Sequence, residues 1–117
     1  MPEARKYDLE ERTLKFAKDV VRFINQLPQV LTNIEIGRQL MRSAGSVGAN
    51  YIEANESLSK KDFIMRIKIC RKEAKETCYW LKLMVCNDEL EGKRGELIQE
   101  SNELTKIFGA ILEKTKE

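Results

Sequence analysis

Between Pro2 and the end of the chain stands a single proline, Pro28, and on both sides of it apolar residues recur at three- and four-residue intervals. That period belongs to an α-helix with one buried face, and a chain so short of ring-constrained turn residues has little means of building hairpins. Six glycines are scattered through the 117 residues, while Leu, Glu, Lys, Ala and Arg are plentiful. These are strong helix formers, so the fold class expected is all-α. The length suits one domain, and 42% hydrophobic residues suffice for one core.

The period divides the chain into four segments, expected as helices over about 9–27, 33–56, 60–86 and 94–115. Three open with an acceptor side chain followed three positions later by an acid, Asp8…Glu11, Thr32…Glu35 and Ser59…Asp62, the pattern of a capping box. The first segment stops at Pro28, and Asn87 to Gly95 holds the last break. Short connections favour antiparallel neighbours, hence an up-down-up-down four-helix bundle.

Apolar residues occupy more of each circumference than one core needs. In the first segment Leu9, Leu14, Phe16, Ala17, Val20, Val21, Phe23, Ile24 and Leu27 spread over roughly 180°, interrupted only by Thr13 and Glu10, against about 100° for a simple bundle helix. In the second, the residues from Ile34 to Ile52 cover about 160°. In the third, Met65, Ile69, Trp80 and Leu83 lie away from a core stripe of Phe63, Ile67, Cys70, Ala74, Thr77, Cys78, Leu81 and Val85. Contiguous apolar surface of this extent points to a homo-oligomer.

The function classes open to the chain are few. It contains no histidine, which removes the commonest general base and the commonest metal ligand. No Ser, Cys or Lys has a recognisable base beside it, so the protein is expected to be no enzyme and to need no cofactor or metal. Cys70, Cys78 and Cys86 fall eight residues apart, roughly 12 Å on one helix, too far to pair or share a metal. Free thiols, no apolar leader and no run of about 18 apolar residues make the cytoplasm the expected compartment, with no membrane partner.

Three patterns remain as candidates. The stretch Arg42-Ser43-Ala44-Gly45-Ser46-Val47-Gly48-Ala49-Asn50 resembles a phosphate loop in its small residues but lacks the Gly-Lys-Ser/Thr ending. The apolar period runs through it, so it is read as helix, with Ala44/Gly48 and Gly45/Ala49 admitting a neighbouring helix closely. On the polar side of the same helix lie Glu35, Arg38, Arg42, Ser46, Asn50 and Glu53. Glu53 with Glu73 and Glu76 could form a carboxylate cluster, but salt bridges to Arg38 and Arg42 within or between subunits are the favoured reading. Finally Lys61, Lys68, Lys75 and Lys82 repeat every seven residues, with Arg71 and Lys72 in the same arc. Residues 60–82 hold eight bases and three acids, residues 83–117 five bases and eight acids, so a net charge of +2 conceals one basic helix. A stripe about 31 Å long can follow several phosphates of RNA or DNA, though it also serves as a solvated face; with no aromatic interleaved except Tyr79, base readout is not indicated.

Several segments carry a family resemblance: Arg12-Thr13-Leu14-Lys15-Phe16-Ala17, Gln39 to Ala54 with its Arg42-Ser43-Ala44 and Ala49-Asn50-x-x-Glu53, Ser59-Lys60-Lys61-Asp62-Phe63, and Glu76-Thr77-Cys78-Tyr79-Trp80-Leu81. They resemble the four-helix bundle proteins encoded in intervening sequences of bacterial 23S rRNA genes, a family that includes the accessory variability determinant of diversity-generating retroelements. The resemblance implies a homopentameric ring with no catalytic residues and, in the retroelement branch, a basic ring that binds a reverse transcriptase and nucleic acid. It maps Arg42, Ser43, Asn50, Glu53, Glu76 and Trp80 onto helix packing or subunit contacts. A protein–protein scaffold without nucleic-acid binding is the alternative function.

Overall fold

The structure, a computed structural model, describes residues 8–116. Among them are four α-helices, α1 (Asp8–Gln26), α2 (Leu31–Asn55), α3 (Lys60–Leu83) and α4 (Glu91–Thr115), a short 3-10 turn at Asp88–Leu90, and no strand. Pairings between helices fix their directions. On α2 and α3, Arg42 reaches Glu73 and Glu76 while Asn50 meets Arg66, so numbers rise on one helix as they fall on the other. Thr13 faces Gly48 and Ile24 faces Gly37 across α1 and α2, and Arg71 lies by Gly109 while Arg94 lies under Leu81 across α3 and α4. The helices therefore form an antiparallel bundle in chain order, most extensively joined at α2/α3 and α3/α4 and most thinly where α4 returns to α1.

Each helix contributes to one core: Phe16, Val20 and Phe23 from α1, Leu40 and Val47 from α2, Ile67 and Leu81 from α3, Leu104 and Phe108 from α4. Burying a side chain of this size stabilises by about 1.5–3 kcal/mol, which outweighs the weak helix propensity of the glycine-containing α2. The hydroxyls inside are satisfied. Thr77 Oγ1 lies 2.8 Å from both the Glu73 carbonyl and Ser43 Oγ, and Thr13 donates to the Leu9 and Glu10 carbonyls. No buried side-chain nitrogen or oxygen among the described residues lacks a partner.

The helix ends depart from the sequence reading. Ser59 Oγ accepts from the Asp62 amide at 3.1 Å as expected. The Thr32…Glu35 box does not form: α2 begins at Leu31 behind an extended Val30 that has no side-chain cap, and Thr32 is already in the first turn. The Asp8 side chain lies outside the described residues. In place of the second box, buried Asn33 ties the junction together, donating to the Pro28 and Val85 carbonyls and accepting from the Val85 amide, each at 2.9 Å.

Helix α3 stops at Leu83 instead of residue 86, because Met84 turns extended and Arg94 fills the space beyond. The Arg94 guanidinium donates to the carbonyls of Leu81, Lys82 and Met84 at 3.0, 3.3 and 2.7 Å, which satisfies the end of α3, and Glu91 steadies it from the other side. Val85, assigned to the core stripe, is consequently half exposed. The 3-10 turn carries the chain into α4 at Glu91, ahead of residue 94.

Candidate nucleic-acid interface and the neighbouring faces

All six bases assigned to phosphate contact, Lys61, Lys68, Arg71, Lys72, Lys75 and Lys82, are exposed on α3. Packing divides them. Lys68, Arg71, Lys72 and Lys75 surround a hollow of about 370 Å³ between α3 and α4, which also contains Leu112 and no carboxylate. Lys61 and Lys82 stand outside it, towards the two ends of the helix. Lys72 Nζ comes within 3.9 Å of Glu73, and none of the other five forms a salt bridge among the described residues. Gly109 of α4 lies next to Arg71: a Cβ there would be 3.8 Å from Arg71 Nε, an ordinary contact. In the helical period of the fourth segment Leu112 falls on the apolar side with Leu97, Leu104, Phe108 and Ile111, and Gly109 has no role. Their position beside α3 follows from how the helices pack.

The α2/α3 seam holds most of the residues assigned to packing or subunit contact. Arg42 bridges to Glu76 and, at 3.4 Å, to the largely buried Glu73. The Trp80 indole N–H donates to Glu76 at 2.9 Å, and Tyr79 meets the Trp80 ring edge-on. The bond from Trp80, followed by that from Arg42, holds the Glu76 carboxyl below its ordinary range against the opposing effect of desolvation. Asn50 accepts from Arg66 at 2.8 Å and donates to Ser46. Ala44 lies in the core.

Glu53 is exposed near the α2/α3 turn, away from Glu73 and Glu76, so the three do not make a carboxylate cluster. No group of three metal-ligating side chains exists among the described residues. The cysteines are free, and burial pushes the Cys70 thiol up to about 12, which keeps it protonated.

Between α1 and α2 the outer surface has a different character. Glu10, Glu11, Leu14, Ala17, Gly45, Ala49 and Ile52 border a groove of about 420 Å³. Gly48 marks where the two helices come closest, since a Cβ on it would sit 2.9 Å from Thr13 Oγ1, whereas a Cβ on Gly45 would meet nothing within 4 Å. The small-residue stretch therefore has two sides: Ala44 and Gly48 pack inward, while Gly45 and Ala49 floor an open groove. Leu14, Val21, Ile34, Met41 and Ile52 are all at least 39% exposed, so the apolar excess read from the sequence lies on the surface of the single chain.

The α1/α4 seam has no counterpart in the sequence reading. Arg12 donates through Nε and Nη2 to Glu100 at 2.6 and 2.9 Å, beside a crevice that also includes Lys15, Asp19, Lys93 and Glu96 over Phe16 and Leu97. No local pattern pairs Arg12 with a residue 88 positions away.

No helix among the described residues is long and apolar enough to cross a membrane. No curated protein matches the chain. The crystal structure of a protein of unknown function from the S23 ribosomal protein family of Bacteroides thetaiotaomicron VPI-5482 is similar, with a TM-score of 0.80 and 30% identity over 92% of this chain and 96% of that one. Residues 5–110 match the sequence model for the 23S rRNA-intervening sequence protein, a span that takes in the Arg42–Asn50 stretch and the Glu76–Leu81 segment, and the chain belongs to that family.

Proposed function

We propose that the protein is a non-enzymatic accessory that assembles with copies of itself, in the homopentameric ring that the family resemblance implies, and holds RNA or DNA non-specifically on its α3/α4 face. The observation that carries the binding is the exposed group of Lys68, Arg71, Lys72 and Lys75 around a hollow with no carboxylate in its lining. Lysine ammoniums act as mobile point charges and arginine as a fork for phosphate oxygens, so such a face binds a phosphate backbone whatever its sequence. Lys82 lengthens the contact along α3. The test is anisotropy titration of a labelled RNA and a labelled DNA over a series of salt concentrations. Binding whose logarithm falls linearly with the logarithm of salt supports the proposal, and no binding at low salt, or a slope near zero, removes it.

Self-assembly rests on the exposed apolar surface of α1 and α2. Light scattering is expected to give a multiple of the 13.6 kDa chain mass, and a monomer mass removes this part. A second reading, a scaffold for a protein partner such as a reverse transcriptase, is favoured by Leu58, which is 99% exposed at the α2/α3 turn beside Glu53, Glu56 and Asp62. A pull-down that survives high salt and nuclease and is lost with Leu58→Asp supports that reading over the first.

A further inference from the structure

The groove between α1 and α2 is apolar, floored by small residues and acidic at one end. Glu10 and Glu11 stand at that end, beside the close of α2, where Asn55 donates to Glu10. A groove of this shape accepts a helix that offers large apolar side chains at helical spacing, with bases at the matching end. The chain itself contains such a helix. On α3, Met65 and Ile69 towards one end and Trp80 and Leu83 towards the other form an outer ridge crossed between the two pairs by Glu76; Met65 and Leu83 are 46% and 48% exposed, and Lys61 stands one turn before Met65.

The heights of ridge and groove agree. The Asn50–Arg66 and Arg42–Glu73 bonds set the register of α2 against α3 within one chain, so Met65 is level with Ile52, Ile69 with Gly48 and Ala49, Trp80 with Arg38, and Leu83 with Ile34. Copies related by rotation about an axis parallel to the bundle meet level to level. Ile69 of one copy then comes opposite the small-residue floor of the next, Trp80 opposite the exposed Arg38 for a cation–π contact, and Lys61 opposite Glu10 and Glu11.

We infer that the α1/α2 groove is the seat of a second copy of this chain, entered by the outer ridge of that copy's α3. The inference rests on the self-assembly reading above and specifies its contact. Ridge and groove are different surfaces, so the contact is head-to-tail. They flank α2 instead of lying on opposite sides of the bundle, so each repetition turns the assembly and leads it to close. The bases on the α4 side of α3 are left outside the contact, facing solvent.

The test uses the full chain with Cys86→Ser, since Cys70 and Cys78 are buried. Ala49→Cys, Ile69→Cys and the double variant are oxidised mildly and separated under denaturing, non-reducing conditions. Each single variant is expected to stay a single chain, a mixture of the two to give dimers, and the double variant to give a ladder of covalent multimers. Dimers from Ala49→Cys alone mean that groove faces groove and overturn the inference. So does an uncross-linked double variant whose mass by light scattering is still oligomeric. A monomeric unmodified chain removes the self-assembly reading itself, which separates the two failures. As a second measurement, Ala49→Glu at an exposed position is expected to lower the solution mass while leaving the helical circular dichroism unchanged; an unaltered mass overturns the inference.

Discussion

The α1/α2 groove and the α3/α4 hollow are built alike, each a shallow channel of about 400 Å³ between antiparallel neighbours, and differ almost wholly in the side chains around them. One has a floor of glycine and alanine between Leu14 and Ile52. The other has four bases around a single leucine. The first channel loses little on desolvation and gains by being covered, at about 25 cal/mol per Å² of apolar area removed from water. The second keeps its charges in water, where they attract a polyanion over about 10 Å at moderate salt. The same helix packing thus yields a surface suited to burial and a surface suited to reversible ionic contact, and α3 contributes to both because its ridge and its bases occupy different arcs.

The largest effect expected from breaking this contrast is on the basic side. Replacing Lys68, Arg71 and Lys75 with alanine removes three phosphate contacts, and the slope of log K against log salt for duplex DNA is expected to become shallower by about 3. The solution mass and thermal midpoint should stay near those of the unmodified chain, since all three side chains are exposed. Salt titrations of both proteins, with light scattering of each, check this. An unchanged slope would place the phosphate contacts elsewhere.

A smaller effect separates the two sides of the small-residue stretch. Alanine at position 48 drives a Cβ to 2.9 Å from Thr13 Oγ1 and 3.2 Å from its Cβ, and Thr13 cannot turn away because its hydroxyl is bonded to the carbonyls of Leu9 and Glu10. Overpacking of this kind costs about 1–3 kcal/mol, more than the ~1 kcal/mol gained by replacing a helical glycine. Gly48→Ala should therefore lower stability and Gly48→Leu should disrupt the bundle. Gly45→Ala meets nothing within 4 Å and should raise the stability of the single chain. Urea denaturation of the two alanine variants checks the opposite signs, and two shifts of the same sign would contradict the close approach at Gly48.

The contrast between the faces is legible in the sequence only in part, for physical reasons. Helical period and local charge depend on neighbours three, four and seven positions apart, so the residue pattern by itself reveals four helices, the outward Met65 and Leu83 and the exposure of the α3 bases. What escapes it depends on groups far apart in the chain. Arg94 ends α3 through carbonyls 10 to 13 residues back, Asn33 reaches across 52 positions to Val85, and Arg12 pairs with Glu100. Each replaces a local signal with a tertiary bond, which is why α3 ends early and the Thr32 box is unused. Thr13 reads as an interruption of the apolar arc and is instead buried against Gly48, its hydroxyl hidden in its own helix. A pattern that scores residues as polar or apolar cannot distinguish it from a surface threonine.

The smallest expected effect concerns the seam that joins the two faces. Glu76 takes the Trp80 indole N–H and the Arg42 guanidinium, and its carboxyl is held below the ordinary value of 4.5 in the folded protein. A depressed carboxyl contributes stability that is fully present above the unfolded value and is lost as pH falls through the folded one. Compared with Glu76→Gln, which keeps an acceptor for Trp80 but loses the charge, the unmodified chain should be more stable at neutral pH. The margin should shrink below about pH 4.5 as Glu76 takes up a proton. Because the side chains of Arg42 and Glu76 are 49% and 30% exposed, solvent screening limits this margin to at most about 1 kcal/mol. Acid should therefore weaken the α2/α3 seam, and denaturant titrations of the two proteins at neutral and acid pH measure the difference directly. A margin that is flat with pH would mean that the Arg42–Glu76 bridge adds nothing to the fold and that buried Ser43, Thr77 and their neighbours hold the seam alone.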